Sequence, residues 1–231
     1  MAKLILVPTP IGNMEDITLR ALRVLQKSDI ILAEDTRVSK KLLTHYNIDK
    51  PIVAHHQHNE HQQLEAFLRT IEKYNQVAVV TDAGTPGISD PGFLLLRACI
   101  EKGIEVETLP GPTAFVPALV NSGLPCDRFY FYGFLPHKKG RKTALEYLTN
   151  VSETFILYES PFRLIKTLQQ LYEFAGERQI AVCRELTKMF EETFRGKISE
   201  AIAYFSQKEV KGEIVIVVQG KEQSEKTKMK E

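Results

Sequence analysis

Eleven consecutive loop-forming residues, Asp82-Ala83-Gly84-Thr85-Pro86-Gly87-Ile88-Ser89-Asp90-Pro91-Gly92, follow the β-branched run Gln76 to Thr81 and carry two carboxylates among three glycines. Glycine lets a ligand approach the backbone, and loops at the carboxyl ends of strands leave amides and carbonyls unpaired, so such a loop suits ligand binding. A tight turn with no ligand is the bland alternative for any one Gly-Pro loop. Two further breaker segments, Pro8-Thr9-Pro10-Ile11-Gly12-Asn13 and Pro110-Gly111-Pro112, also follow strand-like runs. Neither the phosphate-binding G-x-x-x-x-G-K-[ST] nor the dinucleotide G-x-G-x-x-G spacing occurs, which demotes ATP and NAD.

Later in the chain, charged groups sit beside strand-like runs: Glu159-Ser160-Pro161-Phe162-Arg163, Arg184-Glu185-Leu186-Thr187-Lys188 and Lys211-Gly212-Glu213. Charges at strand ends commonly face a cleft, although each could be a helix cap or a surface ion pair. Lys138-Lys139-Gly140-Arg141-Lys142 follows the aromatic run Phe129 to Phe134. Cations beside aromatics suit single-stranded or loop RNA; the alternative is a solvated loop. The histidines of His55-His56-Gln57-His58-Asn59-Glu60-His61 lack H-E-x-x-H spacing and read as a polar loop entering a helix, with Asn59 and Gln62 as an N-cap box, not as a metal centre. Cys99, Cys126 and Cys183 are odd in number and never form C-x-x-C, so no disulfide framework or zinc site is expected and a reducing cytoplasm fits best.

These groups need a scaffold, and 231 residues allow one large or two modest domains. With 43% hydrophobic and 26% charged residues the chain reads as globular, which excludes disorder and collagen-like repeats. Thirty basic against 29 acidic side chains give a net charge of +1, so nucleic-acid binding would have to come from a local patch. The apolar run ending at Pro8 is too short for a signal peptide, and no stretch approaches the roughly 20 apolar residues of a membrane span.

Short strand patterns alternate with helical ones, which predicts an α/β fold of stacked β-α units around mostly parallel sheets. The first half reads as a strand at Lys3 to Val7, a helix near Glu15 to Gln26 with Ile17, Leu19, Leu22 and Leu25 on its apolar face, and a strand at Ile30 to Ala33. A helix follows, then a strand near Pro51 to Ala54, a helix from about Glu60 to Tyr74, and the strand leading to Thr81. Asp90 suits the cap and Pro91 the first position of a helix ending at Gly103, before a strand at Val106 to Leu109. The pattern restarts at Arg128 with strands at Phe129 to Tyr132, Phe155 to Tyr158, Ile180 to Cys183 and Ile214 to Val218. A boundary near residues 112 to 118 gives domains 1–114 and 115–220, with a frayed tail at 221–231.

Leu6 to Asn13, Ala33-Glu34-Asp35-Thr36-Arg37, His58-Asn59-Glu60, Thr81 to Gly92, Pro110-Gly111-Pro112, Gly133-Phe134-Leu135-Pro136, Tyr158-Glu159-Ser160-Pro161, Arg184 to Lys188 and Gly212-Glu213 together resemble the ribosomal RNA small subunit methyltransferase I family. The likeness runs from residue 4 to about 220. It implies two α/β domains of the tetrapyrrole methylase type with S-adenosylmethionine in the cleft between them, usually in a homodimer. The implied reaction is methylation of the ribose 2′-hydroxyl of a cytidine in the decoding region of 16S ribosomal RNA, on the 30S subunit, in the cytoplasm, with neither DNA nor membrane as partner. One departure is Phe162, where the family usually has histidine.

By that resemblance, Pro8, Asp82, Ala83, Gly84, Ile88, Ser89, Pro110 and Ala114 should line the donor pocket, with Glu159, Leu186 and Gly212 from the second half. Tight Gly/Pro loops can hold a sulfonium donor without placing lysine beside the positive sulfur. Asp35, Glu159 and Glu185 are the candidates to take the hydroxyl proton. Arg37, Lys138, Lys139, Arg141 and Lys142 are the candidates to hold RNA phosphates. Two rival readings stand beside this one: a tetrapyrrole C-methyltransferase, which would typically carry Gly-Asp-Pro where this chain has Gly84-Thr85-Pro86, and a catalytically silent RNA-binding or ribosome-assembly module.

Overall fold

The computed structural model describes residues 2–55, 60–90 and 92–222, with backbone alone at 60–63. The chain divides into two units, Met1–Thr113 and Ala114–Glu231. In the first, β1 (Lys3–Leu6), α1 (Leu19–Lys27), β2 (Ile30–Ala33), α2 (Thr36–His45), β3 (Ile52–Ala54), α3 (Glu60–Ile71), β4 (Gln76–Val80), α4 (Phe93–Glu101) and β5 (Glu105–Thr108) alternate. The strands form a parallel sheet in the order β3-β2-β4-β1-β5.

Both faces of this sheet are covered, which is why its inner strands β1, β2 and β4 are mostly apolar along their length, unlike the edge strand β5, Glu-Val-Glu-Thr. Leu4, Leu6, Ile30, Leu32, Val77 and Val79 pack on α3 and α4 through Phe67, Leu68, Ile71, Leu95 and Cys99. Their alternates Ile5, Val7, Ile31, Ala33, Ala78 and Val80 pack on α1 and α2 through Ala21, Leu25 and Leu43. The period of two is that of a pleated strand. Connections through α1 and α2 step towards one edge of the sheet and those through α3 and α4 step back. A right-handed crossover that reverses direction must change face, which accounts for the two helical layers. At the neighbouring strands β1 and β4 the chain departs in opposite directions, and ligands of open α/β sheets sit outside the strand carboxyl ends at such a point.

Some boundaries differ from expectation. The first helix starts at Leu19, because Thr18 stays extended and its hydroxyl accepts from the Ala21 amide at 3.0 Å; a separate 3-10 turn, Met14–Asp16, precedes it. Leu19 is therefore 80% exposed, and Ala21 and Leu25 take the buried face. The fourth helix starts at Phe93, with Gly92 at φ +121° in the cap position, two residues beyond Asp90. Pro91, Asn59, the His56 to Asn59 segment, the side chain of Gln62 and residues 223–231 lie outside the described residues.

The second unit contains α5 (Phe115–Ser122), β6 (Phe129–Phe134), α6 (Arg141–Leu148), β7 (Thr154–Glu159), α7 (Leu164–Ala175), β8 (Gln179–Arg184), β9 (Glu192–Lys197), α8 (Ile198–Ser206) and β10 (Ile214–Val218). Its sheet runs β6-β7-β10-β8-β9. Only β6 and β7 pair in parallel; the other three ladders are antiparallel, which corrects the expectation of a mostly parallel sheet here. The cause is β9, which sequence patterning misses. Its residues Glu-Thr-Phe-Arg-Gly-Lys are half-exposed at the sheet edge, and segment 185–191 is too short for a crossover, so β8 and β9 form a hairpin. The core gathers Leu145, Leu148, Phe155, Leu157, Leu164, Leu168, Ile198, Phe205 and Ile216.

Candidate active site

The carboxyl-end loops of the first sheet are tied to one another. Thr9 and Gly84 exchange both backbone hydrogen bonds, Thr9 N–H to Gly84 O at 2.9 Å and Gly84 N–H to Thr9 O at 3.0 Å. The Thr9 hydroxyl donates to Thr81 O at 3.1 Å, and Thr85 Oγ1 donates to Pro112 O at 3.0 Å. Pro8 lies so close to Gly111 that a Cβ on the glycine would sit 2.5 Å from Pro8 Cβ. Gly84 holds φ +84° and Ser89, a non-glycine, φ +64°. Left-handed backbone at a non-glycine residue is uncommon and clusters at ligand sites.

Helix α2 joins the same rim. The Asp35 amide donates to Asp82 Oδ1 at 3.0 Å, and the Asp35 carboxylate caps α2 by accepting from the Arg37 amide at 2.8 Å. The Arg37 guanidinium folds back onto that carboxylate, with Nη2 to Oδ2 at 2.6 Å. These contacts with Arg37 hold the Asp35 carboxyl well below the usual range.

Of the expected donor-pocket residues, Pro8, Asp82, Ala83, Gly84, Ile88, Ser89 and Pro110 belong to these loops; Pro8 and Gly84 are buried, Ala83 is half-buried and the other four are exposed. Residues 82–90 and 110–113 contain no lysine or arginine. Thr81 Oγ1 is buried and has no hydrogen-bond partner among the described residues. Buried hydroxyls are normally satisfied, so an orphan here suits a group that a ligand would meet. Polar backbone, one unpartnered hydroxyl and loops that themselves carry no cation, with Arg37 paired to Asp35, fit a sulfonium donor. Patterning overlooked Thr9, Thr81 and Thr85; their signal is threonine beside Pro/Gly at a strand end, where its hydroxyl can bond backbone.

In the second unit, β7 and β8 end on the same side because each pairs antiparallel with β10, whose Ile214 lies opposite Glu159 and Arg184. Glu159 is buried and fully committed. Its Oε1 accepts from the Ser160 amide and from Arg163 Nη2, both at 2.8 Å, and its Oε2 accepts from Thr167 Oγ1 at 2.5 Å. Arg141 Nη2 stands 3.7 Å from the same carboxylate. Such enclosure argues against Glu159 as the proton acceptor. It also corrects the reading of Arg141: this residue is 6% exposed and its guanidinium donates to Gln170, Pro136 O and Thr167, so it is not presented to an RNA phosphate. Lys138, Lys139 and Lys142 are exposed, Lys142 standing 3.8 Å from Glu146.

Glu185, at φ +53°, accepts from Lys188 Nζ at 2.8 Å and from the Glu213 amide at 2.9 Å. Burial raises its carboxyl, but Lys188 and that amide more than offset the effect and hold it below the ordinary value. Gly212 packs directly on this carboxyl and, at φ +90°, could not carry a side chain without strain. Leu186 is buried, and Ala114 begins α5 without a side-chain cap. Phe162 is 96% exposed on the turn after β7. Among the described residues, no group of His, Cys, Asp and Glu is placed to hold a metal ion, and no helix is long and apolar enough to cross a membrane.

Residues 3–202 match the family described as Tetrapyrrole (Corrin/Porphyrin) Methylases. The chain is 46% identical over 222 residues to the protein named ribosomal RNA small subunit methyltransferase I of Thermotoga maritima, covering 96% of this chain and 100% of the relative. It is 48% identical over 222 residues to the protein of the same name from Synechocystis, covering 95% and 80%. Among solved structures, the uroporphyrin-III C-methyltransferase of Thermus thermophilus complexed with S-adenyl homocysteine shares the fold at a TM-score of 0.67 and 18% identity, over 95% of this chain and 97% of that one. The two-sheet α/β fold is thus that of the tetrapyrrole methylases, and the chain belongs to the ribosomal RNA small subunit methyltransferase I family among them.

Proposed function

We propose that the protein is a methyltransferase that uses S-adenosylmethionine to modify the ribose 2′-hydroxyl of a cytidine in the decoding region of 16S ribosomal RNA on the small subunit, acting as a homodimer in the cytoplasm. The observation that carries the donor half is the tied rim Pro8-Thr9, Thr81 to Ser89 and Pro110 to Pro112, with its orphaned hydroxyl and no cation. The substrate half rests on relatives named as ribosomal RNA methyltransferases over nearly the whole chain.

Bound there, S-adenosylmethionine would supply an activated methyl carbon on a positive sulfur. The chain's own contribution is placement. The Thr9–Gly84 bridge and the Thr85–Pro112 bond fix three loops, so their amides and carbonyls are preorganised to orient a ligand. The loops of Pro8, Thr81, Gly84 and Pro110 would hold the donor so that a hydroxyl oxygen could take its methyl carbon as the sulfur leaves, the proton passing to solvent. Alignment of oxygen, carbon and sulfur is where most of the rate enhancement should arise. Arg37, Lys138, Lys139 and Lys142, all exposed, are the side chains proposed to receive phosphates.

The test is transfer of labelled methyl from S-adenosylmethionine to 30S subunits lacking ribose methylation, with the product mapped by nuclease digestion and mass spectrometry. Label on a single cytidine ribose is the expected result. No label on 30S or naked 16S RNA, from protein that binds the donor by calorimetry, would overturn the RNA reading and favour a tetrapyrrole substrate.

A further inference from the structure

Helix α2 offers solvent a stripe that the site has not accounted for. Arg37, Lys40, Lys41, Thr44 and His45 fall at i, i+3, i+4, i+7 and i+8, which is one face of a helix, while Ser39, Leu42 and Leu43 take the buried face. The stripe lines a shallow open depression of about 510 Å³. The helix contains no acidic residue. Two exposed helical cations in other helices do meet acids one turn on, Arg97–Glu101 at 2.9 Å and Lys142–Glu146 at 3.8 Å, while α1, with Arg20, Arg23 and Lys27, shares with α2 the lack of any acid. Lys40 and Lys41, both exposed, form no ion pair among the described residues. A second depression on the flank of the helix, of about 380 Å³, adds Lys50 and a single acid, Asp49.

The arrangement runs against the helix's own electrostatics. Like charges one turn apart repel, and a cation in the first turn opposes the positive end of the helix dipole, offset here by Asp35 and, more weakly, Asp82 beside Arg37. Local rules broken without a compensating contact mark places kept for function. Position supplies the second argument: α2 begins at Asp35, whose amide is bonded to Asp82 of the candidate donor loop, so the stripe leads away from the rim where the reaction would occur. Ten residues span about 15 Å, long enough for more than one phosphate of a nucleic-acid strand.

We propose that the Arg37, Lys40, Lys41 and Lys50 surface of α2 is a phosphate-binding track that holds the RNA strand flanking the target nucleotide. It rests on the ribosomal RNA reading above. Lys40 and Lys41 are its anchors, because among the described residues neither has an ion-pair partner to give up on binding.

The experiment measures association of a fluorescent 16S RNA transcript from 50 to 200 mM salt for the wild type, Lys40→Ala/Lys41→Ala and Lys40→Arg/Lys41→Arg. Each phosphate contact to single-stranded RNA contributes about 0.7 to the salt slope, so losing two lowers it by about 1.4. Over that fourfold range of salt the wild type should lose about sevenfold more affinity than the alanine variant. The arginine variant should keep the wild-type slope, and S-adenosylmethionine affinity should be equal in all three. An unchanged slope in the alanine variant overturns the track. Absence of RNA binding and methyl transfer in the wild type would instead overturn the underlying reading. If the arginine variant loses the slope as well, the effect is structural and the track is refuted.

Discussion

Gly111→Ala tests whether the tied rim is the donor site. A Cβ at residue 111 would lie 2.5 Å from Pro8 Cβ and 2.9 Å from Pro8 Cγ. Carbon atoms rest at about 3.5 to 4.0 Å, so one loop must retreat by about 1 Å. The proline ring cannot swing aside, because Val7 before it and Thr9 after it are bonded to Val79 O and Gly84 O, both at 2.9 Å. The 110–113 segment therefore moves, pulling on the Thr85–Pro112 bond. Overpacking of this kind costs about 1–3 kcal/mol, or roughly 4 °C of melting temperature for each kcal/mol in a unit of this size. A displacement of about 1 Å in a positioning loop can cost about 100-fold in rate. Gly103→Ala is the control: Gly103 holds φ +71° with nothing within 4 Å of its added Cβ, so it carries backbone strain of about 1–2 kcal/mol and no local collision. Calorimetry with S-adenosylmethionine and single-turnover methyl transfer should show large losses for Gly111→Ala and none for Gly103→Ala. Wild-type donor affinity and turnover in Gly111→Ala, or equal losses in both, would refute the assignment.

Glu159→Gln, which leaves the Arg163 charge and the buried Arg141 charge without a carboxylate, should destabilise by about 3–5 kcal/mol yet retain transfer below its melting temperature; a fall of about 100-fold or more in folded protein would restore it as a general base. Arg141→Ala should cost about 3–5 kcal/mol in denaturant melts by breaking a buried pair, whereas Lys138→Ala/Lys139→Ala should stay within about 0.5 kcal/mol and weaken RNA association alone. Glu192 is raised by burial but pulled down further by Lys208, Tyr204 and Arg184, from 4.5 to about 2. A depressed carboxyl contributes stability that is complete above the unfolded value and is lost as pH falls, so acid titration from pH 4.5 to about 2 should destabilise the wild type more than Glu192→Gln; parallel curves would contradict that linkage.

Strand positions in the first unit were legible because β1, β2 and β4 are buried on both faces, and a short apolar run rich in Ile, Val and Leu bounded by turn residues reads as a strand. The edge strand β9 was not, since Glu192 to Lys197 includes glycine and three charges and gains its ladder only from β8. Turn chemistry located the loops at 82–92 and 110–112, but not their mutual ties, because Thr9 to Gly84 and Thr85 to Pro112 are contacts between residues distant in sequence. Arg141 shows the same limit. Its run of cations is indistinguishable from its exposed neighbours until Thr167 and Glu159 are brought beneath it by α7 and β7.

The carboxylates bear most directly on mechanism. A general base works best with a pKa near the working pH, and a depressed one accepts protons poorly. Arg37 depresses Asp35, Lys188 and an amide depress Glu185, and Glu159 is enclosed by Ser160, Arg163 and Thr167. For the proposed transfer to a ribose hydroxyl, such carboxylates are poorly suited to take the proton, and alignment would carry the larger share of catalysis. The consequence is a pH profile. Asp35 and Glu185 are ionised from below the ordinary carboxylate range upward, so neither should produce an inflection in kcat/KM between about pH 5 and 8. Asp35→Asn sharpens the test, because asparagine caps a helix as well as aspartate and α2 would keep its start. If Asp35 only positions Arg37 and Asp82, that variant should keep transfer within about tenfold; a loss of about 100-fold or more, together with a wild-type inflection that the variant lacks, would make Asp35 the proton acceptor.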